Sequence, residues 1–266
     1  MSAPQYRYDG RPRLLAVQSQ RLADHGRMLG GMPLKKAKGL AELAGEAGLR
    51  GRGGGWFPTG RKIASVAGKE NPYLLVNGME SEPAAGKDKL LLRRAPHLVL
   101  DGAELAARAI GAKNITVCVH RGSNLARHLL TVIADRAAGG WSSEVEIDVT
   151  EPPRWYVSSE STALANFVGG GDGKPRSVSA RESGVDGRPT LVSNVETFAH
   201  IAMIARYGAD WFRMAGTGEA PGTALFTVSG AVRNTAVYEL PVGLTGETIL
   251  RVAGGLREPI SAVLVG

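Results

Sequence analysis

Cysteine is almost missing from this chain: Cys118 is the only one in 266 residues. That excludes an intramolecular disulfide. It also excludes a cysteine-ligated iron–sulfur cluster or structural zinc site built from this chain alone. Cys118 lies in the apolar run Ile115-Thr116-Val117-Cys118-Val119, which reads as a buried strand carrying an inert thiol. Histidine is sparse as well. His25, His97, His120, His128 and His200 fall at no metal-ligand spacing, so no metal site is expected. There is no Gly-x-Ser-x-Gly nucleophile elbow. No apolar run reaches the ~18 to 20 residues that cross a bilayer, so no direct membrane span is expected. The N-terminal region, with Arg7, Arg11 and Arg13, lacks the apolar stretch of a secretory signal. The expected location is the cytoplasm, at most peripheral to the inner face of the membrane.

The net charge of +7 permits attraction to anionic nucleotides or acidic protein partners. The basic residues are scattered and no basic helix is interleaved with aromatics, so nucleic acid is not an expected partner. The hydrophobic fraction of 43% supports a real core, and 36 glycines imply many tight turns. The length fits one large domain, or one domain and a smaller one.

Apolar periodicity orders the elements. Residues 1–45 read as an N-terminal arm with a helical piece at Leu40 to Ala47. A helix over Arg61 to Ala67 precedes a buried strand at Tyr73 to Asn77. Pro96 suits the first position of a helix running to Ile110, with Gly111 as its stop. Strands at Asn114 to His120 and Glu144 to Val149 flank a helix over Asn124 to Ala138. This alternation predicts parallel pairing with right-handed crossovers. Residues 152–189 read as loop, and Asn194 to Tyr207 as a helix capped by Ser193 or Asn194 and ended by Gly208. After Pro221 a hairpin (Leu225 to Gly230, Val237 to Pro241), a short helix (Thr248 to Ala253) and a last strand (Ala262 to Val265) suggest a small mixed unit. The divisions are therefore 1–45, 46–220 and 221–266.

Four clusters carry chemistry. The first is Gly48 to Lys62, rich in glycine, with Arg50, Arg52, Arg61 and Lys62 and no acidic side chain. Glycine lets a backbone approach a ligand closely, and successive amides in such a loop form an anion nest. Arg52 and Lys62 can neutralise phosphate charge, so the segment suits a phosphate-bearing ligand; its plain alternative is a flexible basic loop. The second is Asn77-Gly78-Met79-Glu80-Ser81-Glu82-Pro83, with Lys87-Asp88-Lys89 after it. A strand ending in carboxamide, hydroxyl and carboxylate groups can bond ribityl or ribose hydroxyls and a ring edge; alternatively it is a solvated acidic turn. The third is Tyr156 to Ala163, where Tyr156 can cover a flat ligand beside Glu160, or Ser159 simply caps a helix. The fourth, Pro189 to Thr197, reads equally as a helix cap.

In this order the clusters resemble the family of the flavoprotein component of NADH:quinone oxidoreductase, respiratory complex I. That family's loop Arg-Gly-Arg-Gly-Gly-x-Gly-Phe-Pro-Thr-Gly-x-Lys is matched from Arg50 to Lys62 except at Trp56. Its second motif is matched at Asn77, Glu80, Glu82, Pro83, Lys87 and Asp88, its third at Tyr156, Glu160, Thr162, Ala163 and Leu164, and its fourth at Pro189, Thr190, Asn194, Val195, Glu196 and Thr197. The resemblance covers roughly residues 35–266. It implies an α/β fold with a Rossmann-like parallel-sheet FMN-binding domain and a small β-grasp domain that binds a soluble ligand. It implies FMN as cofactor and NADH as substrate. Gly51, Arg52, Gly53, Gly54 and Lys62 would hold the phosphate end. Asn77, Glu80, Ser81, Tyr156, Glu160, Asn194 and Thr197 would line the flavin. Phe57 would stack on the adenine of the nucleotide and Glu82 would bond its ribose. Electrons would pass to an iron–sulfur or thioredoxin-like partner subunit.

The departures are informative. Trp56 replaces a glycine beside the flavin, Met79 an aspartate, and Ser159 and Ser161 the glycine and second glutamate of the third motif. Ser177 to Glu182 replaces the Lys-Pro-Pro-Phe-Pro stretch that helps hold NADH. The family's 4Fe–4S cluster is not ligated by this chain. The expectation is an FMN-dependent oxidoreductase with weakened or altered NADH use. The alternatives are a docking scaffold with a vestigial flavin site, and a relative of the ion-pumping ferredoxin:NAD oxidoreductases.

Overall fold

Short runs of β-branched and leucine residues, each flanked by turn formers, assemble the central layer. In the computed structural model, residues 13–17, 19–141 and 144–266 are described; Arg7 and Arg11 lie outside them. Chain order is α1 (Leu22–Leu29), α2 (Leu40–Glu46), α3 (Thr59–Ala64), β1 (Tyr73–Gly78), α4 (Lys87–Arg94), α5 (Pro96–Ile110), β2 (Asn114–Val119), α6 (Leu125–Ala138), β3 (Glu146–Thr150), α7 (Ser161–Val168), β4 (Thr190–Asn194), α8 (Val195–Arg213), β5 (Thr223–Val228), β6 (Ala236–Pro241) and α9 (Gly246–Val252). The four-stranded sheet is wholly parallel, in the order β3-β2-β1-β4, and β5 and β6 form an antiparallel pair. The two central strands of the larger sheet are buried almost throughout, as a sheet covered on both faces requires. This is the Rossmann-like α/β class that the sequence predicts.

Helix α5 is the buried spine of one face. Pro96 opens it, Gly111 ends it at φ 81°, and nearly every residue between is buried. It packs on α8, and the two backbones approach closely at Gly102. A fully buried ionic group ties the surrounding helices to this spine. Asp101 on α5 accepts from His25 of α1 (2.8 Å), pairs with Arg136 of α6 (2.9 Å) and meets Arg206 of α8, while Glu104 takes a second contact from Arg136 (2.6 Å). Burial alone would raise the Asp101 carboxyl; His25, Arg136 and Arg206 outweigh it and hold it near about 2.

The structure corrects several sequence expectations. Residues 13–45 include α1, and Leu14 and Val17 are buried in the main core. The first helix after the glycine loop is Thr59–Ala64 rather than 61–67. Helix α4 comes unforeseen from the Lys87 cluster, and α7 from the stretch read as loop. Thr190–Asn194, read only as a cap, is a strand whose edge position needs the partner β1 to be recognised. Gly208 leaves helical dihedrals (φ 87°, ψ 171°), but α8 resumes and runs to Arg213. The last strand is not formed. Val263, Leu264 and Val265 are 62%, 99% and 92% exposed, with no ladder partner among the described residues, so apolar composition alone does not make a strand there.

A Cβ at Gly102 would lie 1.8 Å from the Phe198 carbonyl oxygen. Alanine gains at most about 1 kcal/mol of helix propensity, whereas forced separation of packed backbones costs about 1–3 kcal/mol or more. Gly102→Ala is therefore expected to lower stability, read as a reduced denaturation midpoint; an unchanged or raised midpoint overturns the close α5–α8 contact.

Candidate functional site

The chain leaves β1 to form β2 on one side and later returns to place β4 on the other. The carboxyl ends of β1 and β4 are thus the topological switch point, where open α/β sheets receive ligands. Asn77 and Asn194 are direct register partners at those two ends. The Asn77 side chain donates to the Ser159 carbonyl (2.8 Å), which brings the third cluster to the same place. The Asn194 side chain reaches the Asn77 carbonyl (3.4 Å) and accepts from the Glu196 amide (2.9 Å), capping α8 as predicted.

The glycine-rich loop closes over this point. Its base is fixed by an Arg50–Pro58 bridge, by the Gly51 amide donating to the Phe57 carbonyl (2.9 Å) and by the Thr59 amide donating to the Leu49 carbonyl (2.9 Å). Glycine is needed where the loop meets β4: a Cβ at Gly53 would lie 3.2 Å from Cβ of Asn194. Gly54 takes φ 92°. The Arg52 amide donates to Thr197 Oγ1 (2.9 Å), pinning the loop to the start of α8. Lys62 donates to the Val192 carbonyl (2.9 Å), two residues before Asn194 on β4. Four segments far apart in sequence therefore converge on two strand ends.

The Arg52 guanidinium, which the sequence offers to a phosphate, makes its contacts inside the protein. It is buried and donates to the carbonyls of Thr223 (3.1 Å), Arg50 (3.3 Å) and Pro221 (3.4 Å), with Nε 3.8 Å from Glu196. It also stacks on the Trp56 ring at 4.8 Å. Its role is to bind the loop to β5 and α8. Trp56 adopts φ 47°, a left-handed conformation that a bulky residue rarely takes, and remains 37% exposed at the loop tip.

Beneath the strand ends lies a buried charge network that sequence reasoning did not count among the site residues. The Lys87 ammonium, at the start of α4, touches Asp88 (2.9 Å), Glu196 (3.0 Å) and Asn194 Oδ1 (3.2 Å). Burial works against its charge, but the two carboxylates prevail and raise its pKa. Burial would raise Glu196 too; Lys87, His200 and Arg52 instead hold it near about 2. Asp88 behaves oppositely. Burial, with Glu80 and Glu196 nearby, pushes it up to about 6 despite Lys87. One ammonium serves two carboxylates, and the Glu196 side dominates because Arg52 and His200 assist it. The signal was present in Lys87-Asp88 and Glu196, but only the tertiary fold brings them together.

The remaining predicted residues are distributed around this centre. Glu80 is buried; its carboxylate accepts from the amides of Asp88 (3.0 Å) and Lys89 (3.4 Å), and its carbonyl accepts from His120 (2.8 Å). Ser81 is half-buried and Glu82 exposed. Glu160, not Ser159, caps α7, accepting from the amides of Thr162 (2.8 Å) and Ala163 (2.9 Å). Tyr156 is 75% exposed, and Phe57 is 40% exposed with the Arg181 guanidinium 5.1 Å from its ring. Met79 is buried in a small apolar cluster with Tyr73, Leu75 and Cys118. Among the described residues no cluster of His, Cys, Asp and Glu is arranged to hold a metal, and no helix is long and apolar enough to cross a membrane.

A folded-state pKa of about 6 for Asp88, above its unfolded value, fixes the sign of its pH effect. Its contribution is complete below pH ~4 and is lost as pH rises through about 6, a change on the order of 3 kcal/mol. Asp88→Asn is expected to flatten that decline in melting temperature between pH 4 and 6. An undiminished decline in the variant overturns the assignment.

Residues 44–203 match the Nuo51 FMN-binding domain family. Among curated relatives, the F component of NADH-quinone oxidoreductase from Mycobacterium tuberculosis is 35% identical over 256 residues, covering 88% of this chain and 57% of that one. Its counterpart in Aquifex aeolicus is 34% identical over 233 residues, covering 82% and 55%. The chain thus spans just over half the length of these relatives. An NAD+-reducing nickel–iron hydrogenase in its air-oxidized state superposes with TM-score 0.82 at 30% identity, over 92% of this chain and 43% of that one. The meeting of the glycine loop with the switch-point strand ends agrees with these matches, and the chain belongs to the Nuo51 FMN-binding domain family.

Proposed function

We propose that FMN binds at the carboxyl ends of β1 and β4, under the glycine-rich loop, and that the protein is an electron-transfer oxidoreductase. It takes electrons from NADH or another reduced donor and passes them to an iron–sulfur or thioredoxin-like partner subunit. The observation that carries this reading is the convergence of the glycine loop, Asn77 and Asn194 on the switch point. The residues present fit the group. Gly53 leaves a cradle that a Cβ would crowd, the Gly51 to Gly54 backbone can meet a phosphate-bearing chain, and Lys62 supplies positive charge. The family match and the names of the relatives support the same reading.

In this reading FMN, when bound, supplies the acceptance of hydride and the release of single electrons. The protein's part is placement. Gly51, Gly53, Gly54 and Lys62 hold the phosphate end. Asn77, Ser81, Asn194 and Thr197 orient the ring system, with Glu80, Glu160 and Tyr156 flanking it. Phe57 and Glu82 address the nucleotide donor. Arg52 acts through the loop that it anchors. Trp56, seated on Arg52 at the loop tip, narrows the space for a ring stacked on the flavin.

The purified protein is expected to show flavin absorbance with FMN in equimolar amount and to bleach slowly under anaerobic NADH. Trp56→Gly is expected to speed that bleaching by about tenfold, a barrier change of ~1.4 kcal/mol, without weakening FMN affinity measured by flavin fluorescence. A colourless protein that takes up no added FMN sinks the flavin reading and leaves a docking scaffold. Equal bleaching rates in the two proteins sink the role of Trp56 alone.

A further inference from the structure

Glu239 on β6 is a buried carboxylate that the site described above does not use. Its oxygens are taken by uncharged donors: Oε1 accepts from Thr223 Oγ1 (2.7 Å) and Oε2 from the Leu15 amide (2.9 Å). Among the described residues no cation pairs with it. A carboxylate held out of water without a counter-charge depends on such hydrogen bonds, and the groups that make them are fixed in return. Leu15 belongs to the N-terminal segment, which Arg13 ties to α8 by donating to the Phe212 carbonyl (3.1 Å) and stacking on Trp211 (4.1 Å).

Thr223 carries the contact onward to the glycine-rich loop. It stands opposite Pro241 in the hairpin, and a proline has no N–H to offer. The Thr223 carbonyl is left for another donor and accepts from the Arg52 guanidinium (3.1 Å). Two residues on, the Leu225 amide turns outward to Glu196 (2.8 Å). The outer edge of β5 is thus covered by the loop arginine and by α8. The same guanidinium donates to the Arg50 carbonyl (3.3 Å) and lies on the Trp56 ring (4.8 Å). A line of direct contacts therefore runs from Leu15 through Glu239, Thr223 and Arg52 into the loop.

We propose that Glu239 is a positioning residue of the glycine-rich loop. By fixing Thr223 it sets the carbonyl on which Arg52 rests, and with it the Gly51 to Gly54 backbone that meets the phosphate end of the flavin. The inference rests on the FMN reading of that loop. Glu239 touches no ligand itself. Its loss loosens the phosphate end and spares the ring end, where Asn77 is held separately by the Ser159 carbonyl. Glutamine can replace it, accepting from the Leu15 amide with its oxygen and donating to the Thr223 hydroxyl with its nitrogen. Alanine can do neither.

The test is fluorescence titration of the full chain with FMN and with riboflavin for the wild type, Glu239→Ala, Glu239→Gln and Thr223→Val. Thermal melts check folding. Glu239→Ala is expected to weaken FMN binding by about tenfold while leaving riboflavin unchanged, as the loss of two hydrogen bonds behind the loop implies. Thr223→Val, which cuts only the Thr223–Glu239 contact, is expected to shift the ratio of the two affinities in the same direction by about threefold. Glu239→Gln is expected to keep the wild-type ratio. If Glu239→Ala does not fold, Thr223→Val decides the matter. Equal losses for both flavins, no loss in the folded variants, or a glutamine variant as impaired as the alanine one overturns the role of Glu239 and leaves the FMN reading standing. A wild type that binds neither flavin overturns both.

Discussion

The Lys87 ammonium is the contact around which the site is organised. It stands at the first position of α4 and binds Asp88 beside it, Glu196 in the first turn of α8 and the side chain of Asn194 at the end of β4. Taking a charge out of water is costly unless partners surround it, and here the partners come from three segments of the fold. Asn194 in turn reaches the Asn77 carbonyl, and Glu196 accepts from the Leu225 amide of β5 (2.8 Å). One cation therefore fixes the start of α4, the start of α8, both strand ends and the edge of the hairpin relative to one another. Precise placement of a cofactor needs such support behind the groups that touch it.

The cations divide into two kinds. Arg52, Lys87, Arg136 and Arg206 are engaged by carbonyls or carboxylates inside the protein and act as cross-links. Lys62 and Arg181 are tethered by backbone contacts but keep unused donors. The first kind builds a rigid frame; the second leaves donors that the fold does not use. The same contrast explains the loop. Its glycines and its αL Trp56 are conformations that the chain adopts because Arg52 and Thr197 clamp it from below. Loops placed on a stiff scaffold carry function, and the Asp101–Arg136 group supplies part of that stiffness among α1, α5, α6 and α8.

Much of this was legible in the residues. Pro96 and Gly111 bracket α5, the apolar runs at 73–77 and 114–119 are strands, and Asn194 caps its helix. These features are local: they depend on dihedral preference, apolar period and a side chain two residues from its partner. The loop Gly48 to Lys62 suggested an anion site by composition alone, and the structure brings it to the ends of β1 and β4. Strand β4 was not legible because Thr190–Asn194 is too short to show a period and becomes a strand only against β1. The final apolar run failed in the opposite sense, having the composition of a strand and no ladder partner among the described residues.

The sequence by itself determined the fold class, the family and the segments that meet at the site, because backbone propensity and motif spacing are written in consecutive residues. Only the tertiary structure decided which charges are neutralised and which remain available. Arg52 and Arg181 are the same side chain by composition. One lies buried among carbonyls of β5 and its approach, the other on the open flank of Phe57. That difference arises from what long-range packing brings within hydrogen-bond reach, which no local pattern records.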